Sequence, residues 1–124
     1  MRLKGIDHVG IEVRYLDRAE EFYVGFLGLE VVNHFDNQVQ LRGEGFNLAL
    51  FRNHEMAPMG GGDVSWPFGK GHWAFTVDAD ELKAAQQWFN EAGVPHHGPV
   101  DWGDHDCLYF LDPDGNLLEI LAYR

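Results

Sequence analysis

Two histidines and one glutamate stand out because the positions they occupy could do chemistry. Glu119 lies in the run Leu117-Leu118-Glu119-Ile120-Leu121, an otherwise apolar stretch. A carboxylate buried there costs several kcal/mol or more unless it is paired, protonated or bound to a cation. His8 and His72 each open a segment of the same form. Asp7-His8-Val9-Gly10-Ile11-Glu12-Val13 aligns with Gly71-His72-Trp73-Ala74-Phe75-Thr76-Val77, and Gly45-Phe46-Asn47-Leu48-Ala49-Leu50 aligns with Gly115-Asn116-Leu117-Leu118-Glu119-Ile120. The repeat makes His8, Ala49, His72 and Glu119 equivalent positions of two copies. Two neutral imidazoles and a carboxylate form a facial set for a divalent ion such as Fe(II) or Mn(II), with Zn(II) or Ni(II) as alternatives, and leave coordination positions open for substrate. Ala49 ligates nothing. For any one of these residues alone the plainer reading is a hydrogen-bonded strand residue, with Glu119 paired to Arg14 or Lys70. Three at repeat-equivalent positions favour the metal.

The elements that must position these residues can be read from periodicity. Val9, Ile11 and Val13 alternate with more polar residues, as in a half-buried strand. Asp17 with Glu20 resembles a capping box, and apolar residues recur at helical spacing from Leu16 to Phe26, before Gly28. Strands are expected at Leu29–Phe35, Val39–Leu41 and Asn47–Phe51, separated by Asp36-Asn37 and Gly43-Glu44-Gly45. Residues 53–69, with Pro58, Gly60, Gly61, Gly62 and Pro67, show no period and read as a linker or lid. The order then starts again: a strand at His72–Val77, a helix capped by Asp78 and Glu81 and closed by Gly93, and strands near His97–Trp102, Asp106–Leu111 and Leu117–Tyr123. Asp112-Pro113-Asp114-Gly115 forms the turn between the last two.

The expected fold is therefore α+β, with two βαβββ modules, 1–52 and 70–124, joined by the linker 53–69 in a single domain. The modules are expected to pair into a cup-shaped eight-stranded sheet enclosing the metal site. At 124 residues, 45% apolar and 14% aromatic, the chain has enough material for a buried core. A formal charge of −11 argues against nucleic acid and anionic membranes as partners. No run is long enough to span a membrane, and the start of the chain lacks the apolar segment of a secretion signal, so a cytoplasmic location is expected. The single cysteine, Cys107, fits a reducing compartment and reads as a small core hydrophobe.

Asp7-His8-Val9-Gly10-Ile11, Phe22-Tyr23, Gly28-Leu29-Glu30, Gly71-His72 and Tyr109 to Glu119 together resemble the vicinal oxygen chelate superfamily, over nearly the whole chain. That group includes glyoxalase I, extradiol dioxygenases, methylmalonyl-CoA epimerase, fosfomycin-resistance thiol transferases and bleomycin-resistance proteins. The resemblance implies that His8, His72 and Glu119 are metal ligands. It also implies that Tyr109 stands where extradiol dioxygenases and the fosfomycin enzymes carry an active-site tyrosine. Ala49 replaces the glutamate of glyoxalase I and the epimerase, and Gly45, Phe46 and Asn47 supply no further extradiol histidine. The fosfomycin enzymes carry a threonine where Gly10 stands, and a longer basic tail.

The reading that follows is a metal-dependent enzyme, dioxygenase-like or lyase/thiol-transferase-like, acting on a small organic substrate through adjacent oxygens. His105, in Gly-Asp-His-Asp, is a candidate base acting from beside the site. The rival is a bleomycin-resistance-type binding protein that holds a flat or cationic compound between Trp66, Trp73 and Trp102. A purely structural metal is disfavoured by only three protein ligands. His54, Trp66 and Phe68 are placed beside the site, whereas His34, His96 and His97 read as surface histidines. A homodimer is expected, with His8 meeting His72 and Glu119 within one chain or across two.

Overall fold

A computed structural model describes all residues 1–124. They divide into two compact units, Met1–Met56 and Ala57–Arg124. The segment 53–69 is thereby shared unequally, and most of it travels with the second unit. No helix is long and apolar enough to cross a membrane.

In the first unit, β1 (Val9–Val13) is followed by α1 (Leu16–Glu20) and by β2 (Glu30–Phe35), β3 (Gln38–Gly43) and β4 (Phe46–Arg52). The strand order is β1-β4-β3-β2, with β1 parallel to β4 and the other neighbours antiparallel. Val9 pairs with Leu48, Ile11 with Leu50, and Val39 with Leu50. Paired residues share a face, so these side chains form one apolar sheet surface, against which α1 buries Ala19 and the turn that continues it buries Tyr23.

The capping box expected at Asp17 and Glu20 does not form. Tyr15 occupies the cap position in an extended conformation with no side-chain cap, and Asp17 sits inside the first turn. Ala19 and Tyr23 must both reach the sheet, and this sets the start of the helix. After Glu20 the helix widens into a π-helical turn over Glu21–Phe26, where the Leu27 amide bonds the Phe22 carbonyl five residues back. Gly28, at φ 77°, ends it as expected.

The second unit repeats the plan with β5 (Trp73–Thr76), α2 (Ala79–Ala92), β6 (His96–Asp101), β7 (His105–Leu111) and β8 (Leu117–Tyr123), in strand order β5-β8-β7-β6. The box expected at Asp78 and Glu81 is present, and Gly93 closes α2 at φ 70°. Leu82, Ala85 and Phe89 of α2 are buried, with Phe89 4.8 Å from Phe110 between ring centres. One face of β7–β8, carrying Leu108, Phe110, Leu118 and Ile120, thus belongs to the helix.

The other face carries Cys107, Tyr109, Leu111 and Leu117, a second apolar cluster against which Val64, Phe68, Val100 and Leu121 pack. Burial on both faces explains why β8 reads as an almost unbroken apolar run. The duplication is also visible in the registers. Ala49 pairs with Gly10, two residues after His8, and Glu119 pairs with Ala74, two residues after His72. His8 and His72 each stand one residue before their strand begins.

Candidate metal and substrate site

Glu119 is 6% exposed and lies opposite Tyr109 in the β7–β8 ladder. Within the second unit its partner is His72 and not the Lys70 side chain. Arg14 donates to the Met56 carbonyl within the first unit, and Lys70 contributes its backbone to the site instead. Glu119 Oε1 stands 2.9 Å from His72 Nε2, while His72 Nδ1 stands 2.8 Å from the Lys70 carbonyl.

These two distances constrain the protons. The Lys70 carbonyl only accepts, so Nδ1 must carry a hydrogen. In the neutral imidazole Nε2 is then a bare lone pair. A lone pair 2.9 Å from a carboxylate oxygen is repelled by it unless a proton or a cation lies between them. A divalent ion fits this pair. Two ligand atoms bound side by side to one octahedral ion at about 2.1 Å are about 3.0 Å apart, and the Nε2–Oε1 distance has that length.

Tyr109 flanks the pair, its ring centre 5.6 Å from that of His72. Burial and the Glu119 carboxylate push its phenol up to about 12, so at neutral pH the hydroxyl is protonated and donates. Cys107 lies next along the same face. Burial raises its thiol to about 11, while the Trp102 indole Nε1 donates to its sulfur at 3.3 Å. A thiol held protonated is a poor nucleophile. Alkylation by iodoacetamide at pH 8 should run roughly a hundredfold or more slower than for a free cysteine thiol; labelling at the free rate would show that the cluster opens.

A group of rings adjoins Tyr109. Phe68, from the loop 57–71, has its ring centre 5.7 Å from that of Tyr109, 4.8 Å from Trp66, 5.5 Å from His97 and 5.8 Å from Trp102. His97 is therefore half-buried against the site rather than a surface histidine. His96 also differs from expectation, packing on Phe89 on the helix face and bonding the Val94 carbonyl. His34 remains exposed and pairs with Glu20. Trp73 does not join Trp66 and Trp102, because it pairs with Leu118 on the helix side of the sheet.

The remaining candidates have partners of their own. His105 shares the face of Tyr109 but stands four residues away along β7, about 13 Å at strand rise. There its Nδ1 meets Asp104 at 2.6 Å and its ring packs on Tyr123 at 5.0 Å. The His105 hydrogen bond holds the Asp104 carboxyl below its usual range. His8, in the first unit, is exposed and bonds Asp7 at 2.8 Å. His54, in the same unit, packs on Tyr15. Within neither unit do three His, Cys, Asp or Glu side chains gather into a group able to hold a metal.

The fold and the site define a class: a duplicated βαβββ protein whose second module presents a histidine–glutamate pair on its non-helical face. The chain belongs to the Glyoxalase/Bleomycin resistance protein/Dioxygenase superfamily, whose family model matches residues 5–120. It is similar to a catechol-2,3-dioxygenase of Bacillus subtilis, with 30% identity over 94% of this chain, but it spans only 42% of that protein. A metallothiol transferase FosB of Staphylococcus haemolyticus is 26% identical over 95% of this chain and 83% of its own length. Among solved structures, the fosfomycin resistance protein FosX of Listeria monocytogenes, complexed with Mn(II) and sulfate, shares the fold. Its TM-score is 0.79 at 18% identity, covering 99% of this chain and 93% of that one.

The sequence did not reveal Lys70, whose contribution is a backbone carbonyl. Nor did it single out His97, which it left without a partner. A histidine opposite a buried strand tyrosine was the available signal, and it depended on the β6–β7 register, in which His97 pairs with Tyr109.

Proposed function

We propose that the protein is a divalent-metal-dependent enzyme of this superfamily, with His72 and Glu119 as two ligands and His8 as the third. The observation that carries the reading is the orientation of His72. Its Nδ1 is committed to a carbonyl, and its Nε2 faces a buried carboxylate oxygen at 2.9 Å, an arrangement that calls for a cation or a proton. His8 is assigned on its equivalence to His72 in the repeat. Fe(II) or Mn(II) suits a mixed imidazole and carboxylate set with open positions, and Mn(II) is the ion named for the similarly folded FosX.

Such an ion supplies Lewis-acid stabilisation of charge developing on adjacent oxygens of a small organic substrate. The chain's own residues do the rest. The Tyr109 hydroxyl donates a hydrogen bond to a substrate oxygen, Glu119 balances the charge of the site, and Phe68 with Val64 keeps water from the sheet face beneath. His105, engaged with Asp104 and Tyr123, has no part in this assignment. The likeness to the dioxygenase and to FosB supports trying ring-cleaving and thiol-transferring chemistries first. The protein acts as a homodimer in the cytoplasm, where the free thiol of Cys107 stays reduced.

A second reading has its own observation. Trp66 and Trp102 remain 65% and 49% exposed beside Phe68, as flat surfaces that could hold a ligand without catalysis. Metal titration followed by thermal melting decides between the two. Addition of Mn(II) or Fe(II) at a hundred times its dissociation constant should stabilise the folded state by about 2.7 kcal/mol. The loaded protein should then turn over a member of a panel of catechols, epoxides with thiols, and α-dicarbonyls. If no divalent ion shifts the melting curve, the metalloenzyme reading fails and the binding-protein reading replaces it.

A further inference from the structure

The loop 57–71 crosses the site face of the second unit and is tied at one end to the strand of Glu119 and at the other to His72. At its start, the Met59 amide donates to Asn116 Oδ1 at 2.8 Å, and the Leu117 amide, two residues before Glu119, donates to the Met59 carbonyl at 2.8 Å. Gly60 lies so close to β8 that a Cβ there would stand 2.5 Å from the Leu117 Cβ, at a backbone φ of 81° that only glycine adopts freely. At its end, Lys70 offers its carbonyl to His72 Nδ1.

Between these ties the loop has little regular bonding. Gly61, Gly62 and Gly69 all have positive φ, and a side chain at Gly61 or Gly69 would meet open space. What holds this stretch down is apolar. Val64 and Phe68 pack on the cluster of Cys107, Tyr109, Leu111 and Leu117, and Phe68, two residues before Lys70, makes the ring contacts to Tyr109, His97 and Trp102.

We infer that Phe68 is a positioning residue for the metal site: its seat on the Tyr109 face fixes the loop so that the Lys70 carbonyl holds His72 with a protonated Nδ1 and with Nε2 directed at Glu119. A histidine ligand whose other nitrogen is not held turns about its side-chain bonds and loses affinity for its ion, typically tenfold to a hundredfold. Phe68 reaches His72 by two routes, along the backbone through Gly69 and Lys70 and through the Tyr109 ring that packs on both. The inference rests on the metal-site reading above, but it is also legible in the metal-free protein.

Two measurements on the full chain test it. In long-range proton–nitrogen spectra of the metal-free protein, with His72 assigned through His72→Gln, Nδ1–H should be a hydrogen-bonded proton protected from exchange, and Phe68→Ala should remove that protection. In Mn(II) titrations Phe68→Ala should bind about tenfold to a hundredfold more weakly than wild type, and Phe68→Leu, which refills the seat, should recover most of the loss. Leu82→Ala, at a buried position of α2 on the opposite face of the sheet, serves as a control of comparable destabilisation.

Unchanged protection and unchanged affinity in Phe68→Ala overturn the inference, as does an equal loss of affinity in Leu82→Ala. If wild type binds no Mn(II), Fe(II) or Zn(II) yet Phe68→Ala still abolishes Nδ1–H protection, the metal reading fails while the positioning role of Phe68 stands.

Discussion

Glu119→Gln should weaken metal binding by at least about a hundredfold while leaving the metal-free protein as stable as wild type or more so. Both effects follow from the bonding of His72. In the metal-free wild type, with Nδ1 donating to the Lys70 carbonyl, the Nε2 lone pair faces a carboxylate oxygen across 2.9 Å, a contact that is repulsive until an ion lies between the two. Glutamine has the same shape, but it turns an N–H toward Nε2 and makes an ordinary neutral hydrogen bond, in a position where a lone anionic carboxylate is costly to bury. The ion, by contrast, loses an anionic ligand and gains an amide.

The competing account, in which His72 and Glu119 are simply an imidazolium–carboxylate ion pair, predicts the reverse. Removing the anion from a pair whose carboxylate is almost fully buried should then destabilise the protein by roughly 3–5 kcal/mol. Melting curves and metal titrations on the same two proteins separate the accounts: a large loss of stability with no change in affinity would sink the metal site.

A second substitution at Glu119 locates His8. Mixing Glu119→Ala with His8→Ala, after partial unfolding and refolding to exchange subunits, restores metal binding only if ligands come together from different chains. Restoration to about one quarter of the wild-type capacity is the random-mixing expectation, with half the dimers mixed and one of their two sites intact. No restoration places all three ligands in one chain.

Where the determinants were local, the sequence disclosed them. The capping box at Asp78 and Glu81, the terminators Gly28 and Gly93, the turn at Asp112 to Gly115 and the two-residue alternation of β1 were all readable. Each depends on residues within one turn or one strand. The equivalence of Ala49 and Glu119 was also readable, because duplication wrote it twice, and the strand registers reproduce it.

What was misjudged depended on tertiary contact. Asp17 looked like a cap, but the helix starts at Leu16, where Ala19 and Tyr23 can meet the sheet. Trp73 was grouped with Trp66 and Trp102 by residue type, and its face was settled only by pairing with Leu118. The partner of Glu119 was legible from the repeat, whereas the Lys70 carbonyl that fixes the orientation of that partner was not, since a carbonyl leaves no mark in the residue alphabet. The loop as a whole showed only its glycines and prolines, and these indicated an irregular path without indicating what lies beneath it.

Asp112→Ala should lower the stability of the second unit by about 3–5 kcal/mol. The Asp112 carboxylate is 4% exposed and serves three donors at 2.9 Å: the amides of Asp114 and Asn116 through Oδ1, and the Asn116 side-chain amide through Oδ2. Alanine leaves all three without that acceptor, in a turn too buried for water to replace it fully. Asn116 passes the damage on, because its Oδ1 receives the Met59 amide and so anchors the loop. At the size of this chain such a loss corresponds to a fall in melting temperature of roughly 10–20 °C.

Asp112→Asn supplies the internal comparison. It keeps one oxygen for the two backbone amides but sets an NH2 group against the Asn116 amide, a donor against a donor. It should therefore lose less, about 1–2 kcal/mol. The turn also matters to the site, since it fixes the register that places Tyr109 opposite Glu119, and a slip of one residue would send Glu119 to the helix face. Thermal melts of the two variants check the ordering. An Asp112→Ala protein that melts within about 2 °C of wild type, well short of the expected fall, would mean that the turn is held by its backbone alone, and that the pairing of Tyr109 with Glu119 is secured by the strands rather than by the carboxylate at their junction.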